Sequence, residues 1–291
     1  MTLPANMKLC RFQKGSGHPR VGLVTNDSTL IDLSATGIAS LSSLLAKDDL
    51  VASLPTMTES YPPRLKLSDV TLLPPVEQQE IWAAGVTYLR SKKARMEESD
   101  FSASAYDKVY DAPRPEIFFK SMPDKVVGTG DTAGIRKDAR WNVPEPELAL
   151  VLNAKGRVVG YTICNDMSSR DIEGENLLYL PQAKIYDRSC AIGPWIRVAA
   201  TEEEARSWTI SIQILEQGKV VFSGETSVGQ IKRSFDELAG YLFRSQSFPN
   251  GVILSTGTGI VPGDDFTLAV GHIVRINISG IGTLENTVQA V

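Results

Sequence analysis

Two glutamates one residue apart stand at the entrance to an apolar run, in the order Pro144-Glu145-Pro146-Glu147-Leu148. In an extended chain residues i and i+2 project to the same face, so the two carboxylates converge. Like charges that close repel unless a cation sits between them. Pro146 stiffens the approach and removes a ladder donor. Alone, such a pair is commoner as the solvent face of an edge strand. The next segment changes that balance. Val158 to Ile163 returns through Asn153-Ala154-Lys155-Gly156, a good hairpin turn, and ends in Cys164-Asn165-Asp166. Asp166 then lies at the open end of the hairpin, beside the glutamates. Three carboxylates without histidine suit a hard cation such as Mg²⁺, Mn²⁺ or Ca²⁺, with coordination positions left for water and substrate oxygens. His18 and His272 are the only histidines, which excludes a zinc site built on three.

Other charged residues flank this group. Asp166 opens a polar run, Ser168, Ser169, Arg170, Asp171, Glu173, Glu175 and Asn176, which leads to Pro181-Gln182-Ala183-Lys184. A lone lysine is usually a solvated charge, but beside three acids and a dication Lys184 could polarise an enolate or shuttle a proton. In Arg114-Pro115-Glu116-Ile117-Phe118-Phe119-Lys120 charges bracket an apolar core, as at a strand end that feeds polar groups into a cavity; an ordinary ion-pair rim explains them equally well. Ser255-Thr256-Gly257-Thr258-Gly259 follows an apolar strand, and its glycines allow close backbone approach to a ligand. It lacks the lysine of a Walker loop, and a plain turn is the simpler reading.

The elements that must position these residues are mostly strands. Before Pro75, Val21 to Thr25 and Thr29 to Leu33 read as a hairpin across Asn26-Asp27-Ser28, and Ile38 to Leu54 has helical spacing. Pro55, Pro62, Pro63, Pro74 and Pro75 then suggest a linker, so we expect a small α/β N-terminal domain over 1–75 and a catalytic domain over 76–291. Beyond the linker, Glu147 to Leu152, Arg157 to Ile163, Trp208 to Glu216, Lys219 to Ser223, Val252 to Ser255, Phe266 to Val270 and Ile273 to Ser279 read as strands. One amphipathic helix is expected from Gly229 to Arg244, with Ile231, Phe235, Leu238, Ala239 and Leu242 on its apolar face. The sum is a mostly β fold with some α, its sheet partly closed. Tyr88 to Tyr110 is polar and charged, an exposed helix or a lid.

With 291 residues, 42% hydrophobic content and a net charge of −4, the chain is an ordinary globular protein. A nucleic-acid binder would need a basic face, and no Lys/Arg cluster or long apolar run points to a membrane. Cys10, Cys164 and Cys190 are odd in number and far apart, which reads as reduced thiols and a cytoplasmic location.

From Ile81 to Val261 the sequence resembles the fumarylacetoacetate hydrolase superfamily. The resemblance rests on Glu145-Pro-Glu147, Asn165-Asp166, Lys184 and Thr256-Gly257-Thr258. It implies a distorted β-roll and a metal, Mg²⁺ or in its place Mn²⁺ or Ca²⁺, on Glu145, Glu147 and Asp166. It also implies substrate contacts from the lysine and the late threonine, no further cofactor, and a homo-oligomer of two or four copies. Tyr110-Asp-Ala-Pro-Arg-Pro-Glu-Ile-Phe-Phe-Lys120, Leu177-Leu-Tyr-Leu-Pro-Gln182 and Ile260-Val-Pro-Gly263 resemble one branch, the 2-keto-3-deoxy-pentonate dehydratases of pentose degradation. Those lyases convert the arabinonate or xylonate derivative to 2,5-dioxopentanoate. The superfamily's carbon–carbon hydrolases carry Gly-x-Asn-Tyr-x-x-His; here Gly85-Val86-Thr87-Tyr88-Leu89-Arg90-Ser91 puts serine at the histidine. A hydrolase would lack its base for water, whereas a dehydratase needs none.

This implies a metal-assisted dehydration of a small 2-keto acid. Lys184 or Glu116 would serve as base or acid, and Thr87, Arg114, Lys120 and Thr258 would hold substrate carboxylate or hydroxyls. The alternatives are an acylpyruvate-type C–C hydrolase, an oxaloacetate decarboxylase, and a non-catalytic binding protein on the same fold.

Overall fold

The computed structural model describes residues 6–26, 28–59, 62–90 and 108–291. Most of Tyr88–Tyr110, the expected lid with its Ser91, lies outside the described residues, as does Asp27 of the first hairpin turn. Among those described, strands dominate, in a 12-stranded sheet, a five-stranded sheet and a short two-stranded ladder. Neither large sheet closes on itself, so the expected partial closure is not found.

The large sheet runs from Arg64–Lys66 through Thr29–Asp32, Arg20–Asn26, Lys8–Gln13, Cys190–Arg197, Val158–Asp166, Pro146–Leu152, Val252–Ser255 and Glu80–Gly85 to Glu116–Ser121. The strands before residue 75 therefore continue this sheet, through the antiparallel pairing of Lys8 with Arg197. They also carry a core of their own, in which Leu9, Leu23, Leu33, Leu44 and Leu54 pack together.

The central hairpin folds as its turn residues dictate. Asn153 Oδ1 accepts from the backbone N–H of Lys155 (3.0 Å) and Arg157 (3.1 Å), and Gly156 takes the left-handed φ of 74° that closes the turn. From there Pro146–Leu152 and Val158–Asp166 pair antiparallel, Glu147 opposite Cys164 and Pro146 opposite Asn165. Leu148, Leu150 and Leu152 enter the main core on one face. The other face carries Glu147 and Ala149, and beside them Cys164, Cys190, Ile192 and Ile253 form a smaller apolar cluster. The polar site is the open end of that second face.

Two expected elements differ. The helix is shorter than Gly229–Arg244: Val228–Gln230 is a 3₁₀ turn, and the α-helix spans Phe235–Leu242. Ser234 fixes its start by accepting from Glu237 N–H at 3.1 Å, a cap the apolar spacing did not reveal. Phe266–Val270 is not a strand. Its backbone donors are met singly, Leu268 N–H by Asn142 O (2.8 Å) and Ala269 N–H by His272 Nδ1 (3.2 Å), which leaves no ladder to join. The strands Lys8–Gln13, Cys190–Arg197 and Gly282–Ala290 were not anticipated.

Candidate metal centre and cavity

The open end of the hairpin brings the three acids together. Asp166 N–H donates to Glu145 O (3.0 Å) and Asn165 Oδ1 accepts from Glu145 N–H (3.2 Å), which places Asp166 across from Glu145. One carboxylate oxygen from each of Glu145, Glu147 and Asp166 lies within 4.8 Å of the others, and all three residues are buried. The donor set is all oxygen, anionic and convergent, which fits a hard dication.

The charges around the acids are unequally shared. Lys184 is fully buried, and its Nζ donates to Glu145 Oε2 (2.8 Å), Asp166 Oδ2 (3.0 Å) and Ser168 Oγ (2.6 Å). Three acceptors use all three ammonium protons, the arrangement of a lysine held as a cation. Arg170 donates to Glu145 Oε1 at 2.5 Å. Lys120 Nζ lies 2.5 Å from Asp166 Oδ1 and also donates to the carbonyls of Met167 and Lys184. Glu147 has no such partner: among the described residues no lysine or arginine pairs with it. Its Oε2 accepts instead from Ser255 Oγ–H and from Gly257 N–H (2.7 Å). Burial above all, then the neighbouring charge of Asp166, raises the Glu147 carboxyl well above its ordinary range.

The loop that supplies Gly257 N–H is pinned from the other side. Thr87 Oγ1 donates to Thr256 O, and a Cβ on Gly257, whose φ is 90°, would stand 2.2 Å from Thr87 Oγ1. Glycine is therefore required there both for conformation and for space. Thr258 Oγ1 lies 3.0 Å from both Pro146 O and Ile260 O, tying the loop to the strand that carries Glu147.

The acids open into a small cavity that is partly open to solvent. Its walls are Ala84, Gly85, Val86 and Phe118, with Arg170, Lys184, Gly257 and Thr258 around the acids. Of the residues singled out from sequence, the structure gathers Glu145, Glu147, Asp166, Lys184 and Thr258 on this cavity. Lys120 stands behind Asp166 rather than on the wall, and Thr87 acts on the Thr256–Gly257 turn. Glu116 faces Gly85 across the sheet. Arg114 lies apart: it is exposed, with its guanidinium 5.5 Å from the Tyr241 ring centre. Sequence reasoning passed over Arg170, which was only one member of a polar run, and Phe118, whose ring centre lies 5.8 Å from Lys184 Nζ. Alternation along Glu116–Phe118–Lys120 was the available signal for Phe118; nothing local marked Arg170 for burial.

Known proteins match this arrangement. The model of the fumarylacetoacetate (FAA) hydrolase C-terminal family matches residues 80–289. A probable 2-keto-3-deoxyxylonate dehydratase from Haloferax volcanii is 49% identical over 217 residues, covering 75% of this chain and 74% of that protein. The 2-dehydro-3-deoxy-D-arabinonate dehydratase of Saccharolobus solfataricus is 39% identical over 289 residues, 97% of this chain and 96% of the other. Among solved structures, a 2-keto-3-deoxy-D-arabinonate dehydratase complexed with magnesium and 2,5-dioxopentanoate superposes with a TM-score of 0.83 at 36% identity, over 98% of this chain and 99% of that one. The agreement in sequence and in fold over nearly the whole length means that the chain belongs to the fumarylacetoacetate hydrolase family.

Proposed function

We propose that this protein is a Mg²⁺-dependent hydro-lyase that converts a 2-keto-3-deoxy-pentonate, the arabinonate or xylonate derivative, to 2,5-dioxopentanoate. The observation that carries the reading is the convergence of Glu145, Glu147, Asp166 and the Lys184 ammonium on one cavity. The resemblance to two dehydratases, and to a structure holding magnesium and that product, supports it.

Glu145, Glu147 and Asp166 would hold the dication, with Mn²⁺ or Ca²⁺ as possible substitutes. When bound, it supplies a Lewis acid to the carboxylate and keto oxygen of a 2-keto acid, which acidifies C3. The protein's own groups then do the proton work. Glu116 accepts the C3 proton. The Lys184 ammonium, whose three protons all face acceptors, gives a proton to the C4 hydroxyl as the C4–O bond breaks and water leaves. Tautomerisation of the resulting 5-hydroxy enone yields the aldehyde. Arg170 and Thr258 line the cavity where the substrate carboxylate and hydroxyls must be held. Thr87 fixes the Thr256–Gly257 turn, and Lys120 fixes Asp166.

Among the described residues, none that lines the cavity precedes Ala84. This supports a role in packing and assembly for a small domain over 1–75. We further propose a homo-oligomer of two or four copies and a cytoplasmic location. The three cysteines are free and buried, as a reducing compartment allows. No helix among the described residues is long and apolar enough to cross a membrane. The test of function is product formation from each sugar acid with and without EDTA. Mg²⁺-dependent 2,5-dioxopentanoate is expected; pyruvate released from an acylpyruvate, with no turnover of either sugar acid, would overturn the reading.

A further inference from the structure

Glu116 stands across the sheet from a residue that has no side chain. Gly85 and Glu116 are direct partners in the antiparallel pairing of Glu80–Gly85 with Glu116–Ser121, so any side chain at 85 would share the face of Glu116. A Cβ there would stand 1.9 Å from Glu116 Oε2, 2.6 Å from Cδ and 3.3 Å from Cγ. The carboxylate therefore fills the volume that a side chain at 85 would occupy, and it lies against a residue that lines the cavity. Backbone conformation does not ask for glycine here, because Gly85 is not among the residues with positive φ. The need is for space. The same strand, on the same face, sends Phe118 into the cavity wall and Lys120 to Asp166, and Glu116 is the next member of that row, against Gly85.

We propose that Gly85 is a positioning residue: its missing side chain lets the Glu116 carboxylate lie against the cavity-lining backbone of residue 85, within reach of a bound substrate. The proposal rests on the dehydratase reading, in which Glu116 accepts a proton.

Gly85→Ala tests this without unfolding the protein, since the added methyl meets the far end of a flexible side chain that can swing aside. The melting temperature should stay close to wild type. Turnover should fall about 100-fold, the scale of a general base, with KM changed less than about threefold. The acidic limb of the pH–rate profile, where a carboxylate base loses its proton, should disappear. Glu116→Gln should lose a similar factor, and Gly85→Ala/Glu116→Gln should be no slower than Glu116→Gln alone, because both act through one carboxylate. A crystal structure of Gly85→Ala should show Glu116 displaced. Wild-type turnover in Gly85→Ala, independent losses that multiply in the double variant, or an unmoved Glu116 would each overturn the proposal. Failure of the dehydratase reading is separate: it shows as absent turnover in the wild-type enzyme, and the Glu116 position in the variant crystal still decides the role of Gly85.

Discussion

Of the three clustered acids, Glu147 is the one with no cation beside it among the described residues, and replacing it separates metal binding from folding. In Glu147→Gln the amide oxygen can still accept from Ser255 Oγ–H and Gly257 N–H, so the loop keeps its anchor. What is lost is one of three anionic ligands. Changing a group that merely supports a metal ligand costs 10–100-fold in affinity, so losing a ligand should weaken Mg²⁺ at least ~100-fold. At a Mg²⁺ concentration one hundred times the wild-type Kd, binding stabilises the wild type by ~2.7 kcal/mol and the variant by ~0.4 kcal/mol. For a chain of this size that separates a rise in Tm of ~5–10 °C from one of ~1 °C. The pH dependence of the metal-free protein supplies an independent check. Below the ordinary glutamate value of 4.5 the residue is protonated in both the folded and unfolded states. Above it the unfolded chain ionises while burial keeps the folded carboxyl protonated, so the unfolded state binds fewer protons and stability falls as pH rises. Metal-free wild type should therefore lose Tm upward from pH 4.5, the loss should shrink in Glu147→Gln, and added Mg²⁺ should restore most at the highest pH. Thermal melts with and without EDTA across pH, with calorimetric Mg²⁺ titration, read all of this. An undiminished Mg²⁺-induced shift in Glu147→Gln would refute the ligand assignment.

Lys184→Met should abolish turnover by ~10²–10⁴-fold, as expected for a lost acid–base group, while Mg²⁺ binds more tightly because a competing cation has gone; weaker Mg²⁺ binding would show that Lys184 supports the metal instead. Lys120→Met leaves Asp166 without its innermost partner and should cost ~3–5 kcal/mol of stability in denaturant melts. Arg114→Ala, at a surface stacking site, should leave kcat/KM within about twofold; a loss of 100-fold would place it on the substrate path after all.

The clustering of the three acids was legible in the sequence because it depends on local rules. Alternation along an extended chain places Glu145 and Glu147 together, and the Asn153–Gly156 turn sets the register that returns Asp166 to them. Lys120 and Arg170 depend on contacts between distant segments. Lys120 meets Asp166 although three strands separate Glu116–Ser121 from Val158–Asp166 in the sheet order, a contact that no local pattern announces. Arg114 and Arg170 look alike in sequence, each followed within a few residues by an acid, and only tertiary structure buries one and exposes the other. Cys190–Arg197 was missed because Gly193-Pro194 breaks its apolar pattern. Its neighbour absorbs the break as a register shift between Tyr161 and Ile163.

The distribution of charge explains why this cluster is better read as a centre for a cation and an anion than as a buried ion-pair network. Lys120 and Arg170 bind Asp166 Oδ1 and Glu145 Oε1, while Lys184 takes the other oxygens of both acids. Three acids thus face three cations, yet Glu147 gains no cation from the balance and has its proton affinity raised. A network selected for stability would place a cation on each fully buried acid, since an unpaired buried charge is the costliest case. Here that position is left to something the chain does not encode. A dication bound there would turn a neutral cluster into one with two excess positive charges. A cavity of that charge, walled by Phe118 and small residues, favours a small anion with further oxygens to share, which is the chemistry of a sugar-derived keto acid.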